Sequence, residues 1–335
     1  MHALIHHLSH RFALDADRRQ RLWALSGLHR PPDRLGVLLY RGLAVLAALL
    51  LGAGLIFWVA ANWQDQTRTF KLHLLEAAVL VSSVAALAWP RGRTALLLLA
   101  TLALGGLLAF VGQTYQTGAD AWQLFATWAA LALLWALAAR RDAMWALWLL
   151  ITGLGLALWS GDALLNPLQN LLIGRQARSL LTPLGWAAIF LFPLALPSLK
   201  LLPAGAASAP ISWRLAALLA LSAWCTYALF GLFLPDQAWQ YFANLLLVLG
   251  AAALAWWLRP RDFVVLGLAV LALNVLIISG FARLMFEGVR VDGVGAVLLI
   301  TLVAAGCVGA GGTWLYRLLR EAATAGALAS HPSAR

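Results

Sequence analysis

Two stretches of the chain gather side chains able to hold a small polar ligand. One is Ala60-Ala61-Asn62-Trp63-Gln64-Asp65-Gln66. The other is Gly112-Gln113-Thr114-Tyr115-Gln116-Thr117-Gly118-Ala119-Asp120-Ala121-Trp122-Gln123. Each joins amides, a carboxylate and an aromatic ring. Asn62 and Gln113 would supply directional hydrogen bonds, Asp120 a charge, and Trp63 and Tyr115 an apolar wall. A set of this kind can bind a cation, a sugar or a lipid headgroup. The same amides can instead cap helix ends whose backbone groups lipid would leave unpaired.

Glu76 is the carboxylate that falls within an apolar stretch. His73, three residues earlier, shares its helical face. Either Glu76 is a snorkelling acid in a local ion pair, or it is a proton or cation ligand of the kind that intramembrane carboxylates provide. Asn274 and Asn244 also lie in apolar stretches, where interhelical hydrogen bonding is their usual role. His2, His6 and His10 recur every four residues and would form one stripe on a helix. No carboxylate or Cys ligand accompanies them, so a titrating exposed stripe is expected rather than a metal site. Cys225 and Cys307 sit in apolar runs as small hydrophobes. No cofactor is expected.

Enzyme signatures are missing. There is no His-Glu-x-x-His pattern, no Gly-x-Ser-x-Gly elbow and no phosphate-cradling Walker loop. Asp162, Asp236, Glu287 and Asp292 lie in further polar turns on the same side as Asp120. Convergence of two such carboxylates would be needed for a transferase.

The elements that position these residues follow from composition. The chain has 335 residues, 63% hydrophobic and 11% charged. Soluble proteins carry about 25% charged residues, so a soluble enzyme, a disordered chain and a disulfide scaffold are all excluded. Apolar runs of about 20 residues span a bilayer as helices. Ten runs of this sort lie at approximately 42–61, 72–89, 94–112, 122–139, 143–159, 183–199, 213–234, 239–258, 263–280 and 294–316. The fold class is therefore all-α, a polytopic transmembrane bundle.

Orientation follows from the basic residues. With the N-terminus inside, eighteen of the 24 Lys and Arg residues fall on the cytoplasmic side. That bias places both termini in the cytoplasm. It also explains the net charge of +11 as a topology signal and an attraction to anionic lipid, not as a nucleic-acid surface. Trp58, Trp63, Trp122, Trp159, Trp186 and Trp239 lie near outer ends. Trp89, Trp135, Trp145, Trp213, Trp256, Trp257 and Trp314 lie near inner ends. Aromatic belts at both interfaces predict this placement.

Residues 1–41 read as a cytoplasmic amphipathic lead-in. It holds a short helix with Asp15 as N-cap and Gly27 as C-cap, followed by the breaker Pro31-Pro32. Residues 42–160 form a first membrane half and 161–320 a second. Residues 321–335, rich in Ala, Ser and Gly, read as a flexible cytoplasmic tail. Ala121-Trp122-Gln123-Leu124-Phe125-Ala126 resembles Ala238-Trp239-Gln240-Tyr241-Phe242-Ala243. Gly54-Leu55-Ile56-Phe57-Trp58 more faintly matches Gly155-Leu156-Ala157-Leu158-Trp159. Both offsets are four spans, as a parallel four-helix repeat with an extra hairpin would give.

The first half also resembles a family of bacterial predicted membrane proteins, the domain of unknown function 2157. The resemblance covers approximately residues 8 to 160. It rests on Asp15-Ala-Asp-Arg-Arg, Gly54 through Trp63, Gly112-Gln113-Thr114-Tyr115-Gln116 with Asp120, and a Trp-rich fourth span. It implies a bacterial inner-membrane location and carries no activity. The expected role is non-enzymatic: binding or moving a small polar solute, ion or lipid headgroup at an outer-leaflet site of Asn62, Trp63, Gln113, Tyr115 and Asp120, with Glu76 behind. The alternatives are a scaffolding subunit that docks another membrane protein and an outer-face transferase. The lipid bilayer is the expected partner in every case.

Overall fold

The computed structural model describes residues 11–12, 14–25, 35–62, 65–115, 118, 120–160, 181–234, 238–258, 262–288 and 293–329. Among them are eleven α-helices and no strands. The helices are α1 (Ala16–Leu25), α2 (Leu35–Ala61), α3 (Arg68–Ala88), α4 (Arg93–Tyr115), α5 (Ala121–Ala139) and α6 (Asp142–Ser160). They continue with α7 (Leu181–Ala195), α8 (Pro210–Phe233), α9 (Ala238–Trp257), α10 (Phe263–Arg283) and α11 (Gly293–Ala329). A π-turn, Leu284–Gly288, extends α10. Among the described residues nine of these helices are long and apolar enough to cross a membrane. The chain is thus a multi-pass helical membrane protein.

Contacts between helices fix their directions. Gly52 faces Leu102, and Gly106 faces Ile56, so α2 and α4 run parallel. Leu75 also faces Gly106, with α3 antiparallel to α4. Trp128 Nε1 donates to the Thr101 carbonyl at 2.8 Å, joining α5 to α4. Trp148 Nε1 donates to the Ala129 carbonyl at 2.9 Å, joining α6 to α5. At one end Asp142 of α6 meets Ile211 and Ser212 of α8. At the other, the Tyr227 hydroxyl lies 3.0 Å from Ser160 Oγ, so α6 and α8 are parallel. Tyr241 OH donates to the Leu276 carbonyl at 2.8 Å across α9 and α10. Gly311 of α11 faces Val270 and Asn274 of α10.

The span expected at 183–199 is shorter than expected. Helix α7 ends at Ala195 with Pro193 inside it, and residues 196–200 are turns. Proline removes a backbone donor and crowds the preceding turn, and Pro197 follows at once. Fifteen residues rise about 22 Å, against about 30 Å of hydrocarbon. The segment still runs the depth of its neighbours. Trp224 Nε1 donates to the Pro183 carbonyl at 3.2 Å, toward the end of α8. Trp145 Nε1, near the start of α6, donates to the Leu201 carbonyl at 2.9 Å. The helix and its turn together run antiparallel to α6 and α8, from the end of α8 to the start of α6.

Two other boundaries differ. Helix α2 begins at Leu35 rather than 42, because Tyr40 and Arg41 are exposed and their polar tips can reach the interface from within a helix. Helix α11 continues to Ala329 through the stretch expected to be flexible. Alanine is the best helix former, and Thr324 Oγ1 donates to the Arg320 and Glu321 carbonyls. Helix α1 starts where expected, with Asp15 Oδ1 accepting from Arg18 N at 2.8 Å. Gly27, Pro31-Pro32 and the histidine stripe lie outside the described residues.

Several tryptophans assigned to interfacial belts are instead core residues. Trp145, Trp186 and Trp213 are buried, as is Trp224, whereas Trp58, Trp89, Trp159, Trp239, Trp256, Trp257 and Trp314 are exposed. A backbone carbonyl of a neighbouring segment serves the buried indoles of Trp145 and Trp224, whereas Trp186 Nε1 is buried with no partner among the described residues.

Helix α4 touches α2, α3 and α5, and α8 touches α6, α7 and α9. Helix α8 also packs on α10, and α4 also touches α6. Close approach of α4 and α5 depends on Gly105. A Cβ there would overlap the Trp128 ring that bonds to Thr101. Trp128→Phe is expected to cost about 0.6–1.7 kcal/mol, the range for interhelical hydrogen bonds in membranes. Gly105→Leu should cost more, since it displaces both the ring and its bond. Reversible unfolding in detergent mixtures measures both; an unaffected Gly105→Leu variant would contradict this packing.

Candidate functional site

The C-terminal ends of α2 and α4 and the N-terminal ends of α3 and α5 meet at one end of the bundle. The two polar segments therefore share a face. Asn62 closes α2, its Nδ2 donating to the Trp58 carbonyl at 2.8 Å. This is the capping use of an amide. Trp63 lies outside the described residues. Gln113 and Tyr115 occupy the last turn of α4, and both are exposed. Asp120 precedes α5 in extended conformation. Its carbonyl accepts from Gln123 N at 3.0 Å, but its carboxylate makes no capping bond. Asp120 is thus an exposed charge at a helix N-terminus.

Glu76 does not face this group from behind. The buried face of α3 carries Lys71, Leu75, Ser82 and Ala86. Glu76 lies off that stripe and pairs with His73, Oε2 to Nδ1 at 3.0 Å, with both side chains at least half exposed. The expected local pair forms, on the outside of the bundle.

The charged group turned inward is Lys71, which is only 2% exposed. Among the described residues it is the one buried side chain of the Lys, Arg, Asp and Glu types. Val59, Leu75 and Phe110 form an apolar cluster at this level. Lys71 itself sits in the first turn of α3, on the helix's buried face. One turn beyond Phe110, Thr114 Oγ1 is buried with no hydrogen-bond partner. The 71, 75, 82, 86 spacing was a legible signal, since it sets Lys71 on the apolar stripe rather than beside Glu76.

The second half holds polar groups at the same end. Asn244 Nδ2 donates to the Gln240 carbonyl at 2.8 Å, and both side chains are buried. Their amide oxygens have no partner. At the matching positions of the first half, Thr127 Oγ1 donates to the Gln123 carbonyl at 2.9 Å, on an exposed surface. The local bond is common to both units; contact with α8 and α10 buries it in the second. Asn274 faces Gly311 across the α10–α11 contact. Glu287 pairs with Arg283 at 2.7 Å, and Asp162, Asp236 and Asp292 lie outside the described residues. Among the described residues no cluster of three or more His, Cys, Asp or Glu could hold a metal. Both cysteines are free thiols.

The fold and this end of the bundle define a class: a multi-pass membrane protein with polar groups gathered where successive helices meet the interface. Residues 8–145 match the family model of a predicted membrane protein, the domain of unknown function 2157. No curated protein and no solved structure matches the chain. The matched stretch runs from the lead-in helix through the start of α6, and it contains Asn62, Lys71, Gln113, Tyr115 and Asp120.

Thr114→Val removes a hydroxyl that no protein group satisfies. It should leave stability unchanged or raise it slightly, since an unmet buried hydroxyl costs about 1–3 kcal/mol. Thermal unfolding in detergent checks this, and a clear drop would mean that the hydroxyl is bonded.

Proposed function

We propose that the protein binds a small polar solute or a lipid headgroup in the outer half of a bacterial cytoplasmic membrane, with its arginine-rich end inside. The buried Lys71 carries this reading. Ionisable groups within membrane helices are expensive and mark ligand or ion pathways. Lys71 supplies attraction for a phosphate or carboxylate. Gln113 and Asn62 add hydrogen bonds, Tyr115 and Trp63 an apolar wall, and Asp120 a counterpart for an ammonium group. A zwitterion such as phosphoethanolamine offers one group to each. None of these roles calls for bond-breaking chemistry, and binding or passage of the ligand is the activity.

The test uses the purified chain in detergent with glycerophosphoethanolamine as probe, read by calorimetry. Lys71→Gln should weaken binding by about tenfold or more, the scale of one charge-assisted contact. Asp120→Asn should weaken it less, because its carboxylate is exposed to solvent. Binding of equal strength by the wild type and both variants would contradict the proposed site.

A further inference from the structure

At the opposite, arginine-rich end lies a cavity of about 630 Å³. Four parts of the chain enclose it: the start of α2, the α3–α4 turn, and the first turns of α6 and α8. Three guanidinium groups line it from three separate elements. They are Arg41 of α2, Arg91 of the turn and Arg141 beside α6. The α5–α6 connection is only Arg140-Arg141, and Arg140 takes a left-handed conformation, φ 49°, to make it. That tight reversal sets Arg141 at the rim.

None of these three arginines forms an ion pair among the described residues, whereas Arg214 pairs with Asp262 at 2.9 Å and Arg283 with Glu287. Asp142 is the one carboxylate lining the cavity, and both its oxygens are engaged. Oδ2 accepts from Ile211 N at 2.7 Å; Oδ1 accepts from Ser212 N at 2.9 Å and from Ser212 Oγ at 2.6 Å. Its charge is directed at the N-terminus of α8, and among the described residues the three guanidinium groups have no acid of their own. The remaining walls are mainly apolar, Val45 and Ala95 among them.

We propose that this cavity binds the phosphate of an anionic phospholipid, with the start of its hydrocarbon along the apolar wall. Guanidinium groups match phosphate oxygens in pairs, and basic pockets between transmembrane helices suit anionic headgroups. The volume lies within the range of small-molecule sites, and the apolar wall suits a chain that a free anion lacks. This site is independent of the outer one and does not contain Lys71.

The experiment is native mass spectrometry of the purified full chain titrated with phosphatidylglycerol or with phosphatidylcholine of the same acyl chains. The wild type should retain phosphatidylglycerol at least about tenfold more tightly, given three basic groups at the interface. Combined Arg41→Gln, Arg91→Gln and Arg141→Gln should bring it to the phosphatidylcholine level. Combined Arg317→Gln and Arg320→Gln, exposed on α11 away from the cavity, should leave it unchanged. If the triple variant does not fold, Arg91→Glu, an exposed turn position, should give at least a several-fold loss. An unchanged triple or Arg91→Glu variant overturns the proposal. So does an equal loss in the α11 control, which would mean general surface attraction. Glycerol phosphate competing as well as the lipid would also overturn it, by making the ligand a soluble anion.

Discussion

Lipid gives its helices no hydrophobic reason to associate, so what joins this bundle is close packing and bonds between helices. The recurrent bond is an indole N–H donated to a backbone carbonyl of a neighbouring segment. Trp128 reaches Thr101, Trp148 reaches Ala129, Trp145 reaches Leu201 and Trp224 reaches Pro183. In sequence order these link α4 to α5, α5 to α6, α6 to the turn after α7, and α7 to α8. Glycines such as Gly105 allow the rings to lie close to the partner backbone. The alternating passes, and hence the two polar ends, depend on these contacts.

The two ends differ in chemistry because they differ in how charge is held. At the arginine-rich end short connections crowd guanidinium groups together, and Asp142 is committed to capping α8. At the other end lie amides, hydroxyls, the exposed Asp120 carboxylate and the buried Lys71. On the readings proposed above, the first would receive an anionic headgroup and the second a ligand with both an acceptor and a donor.

Much of the fold was legible in the sequence, because a membrane span is a long-range compositional signal. Asp15 as a cap was legible too, since a cap is a local one. Boundaries failed where polar tips lie on a continuing helix, as at Arg41, or where proline ends one early, as at Pro193 and Pro197. Trp145 and Trp213 were misplaced because an interfacial position in sequence does not say whether an indole faces lipid or a neighbouring helix. Glu76 drew attention as an acid in an apolar run, yet its helical angle turns it outward while Lys71 turns inward. The cavity at Arg41, Arg91 and Arg141 was not legible. Those residues are fifty apart in the chain, and only the packing of α2, α4 and α6 brings them to one place.

The central claim is that the chain crosses the membrane in alternating passes, α7 included. Single-cysteine accessibility tests it, in a background of Cys225→Ala and Cys307→Ala, with Asp65→Cys, Asp120→Cys, Ser198→Cys and Arg317→Cys introduced one at a time. A membrane-impermeant maleimide should label positions 65 and 120 in intact cells, and positions 198 and 317 only after lysis. Labelling of positions 198 and 317 from outside would mean that α7 does not cross, and would contradict the account.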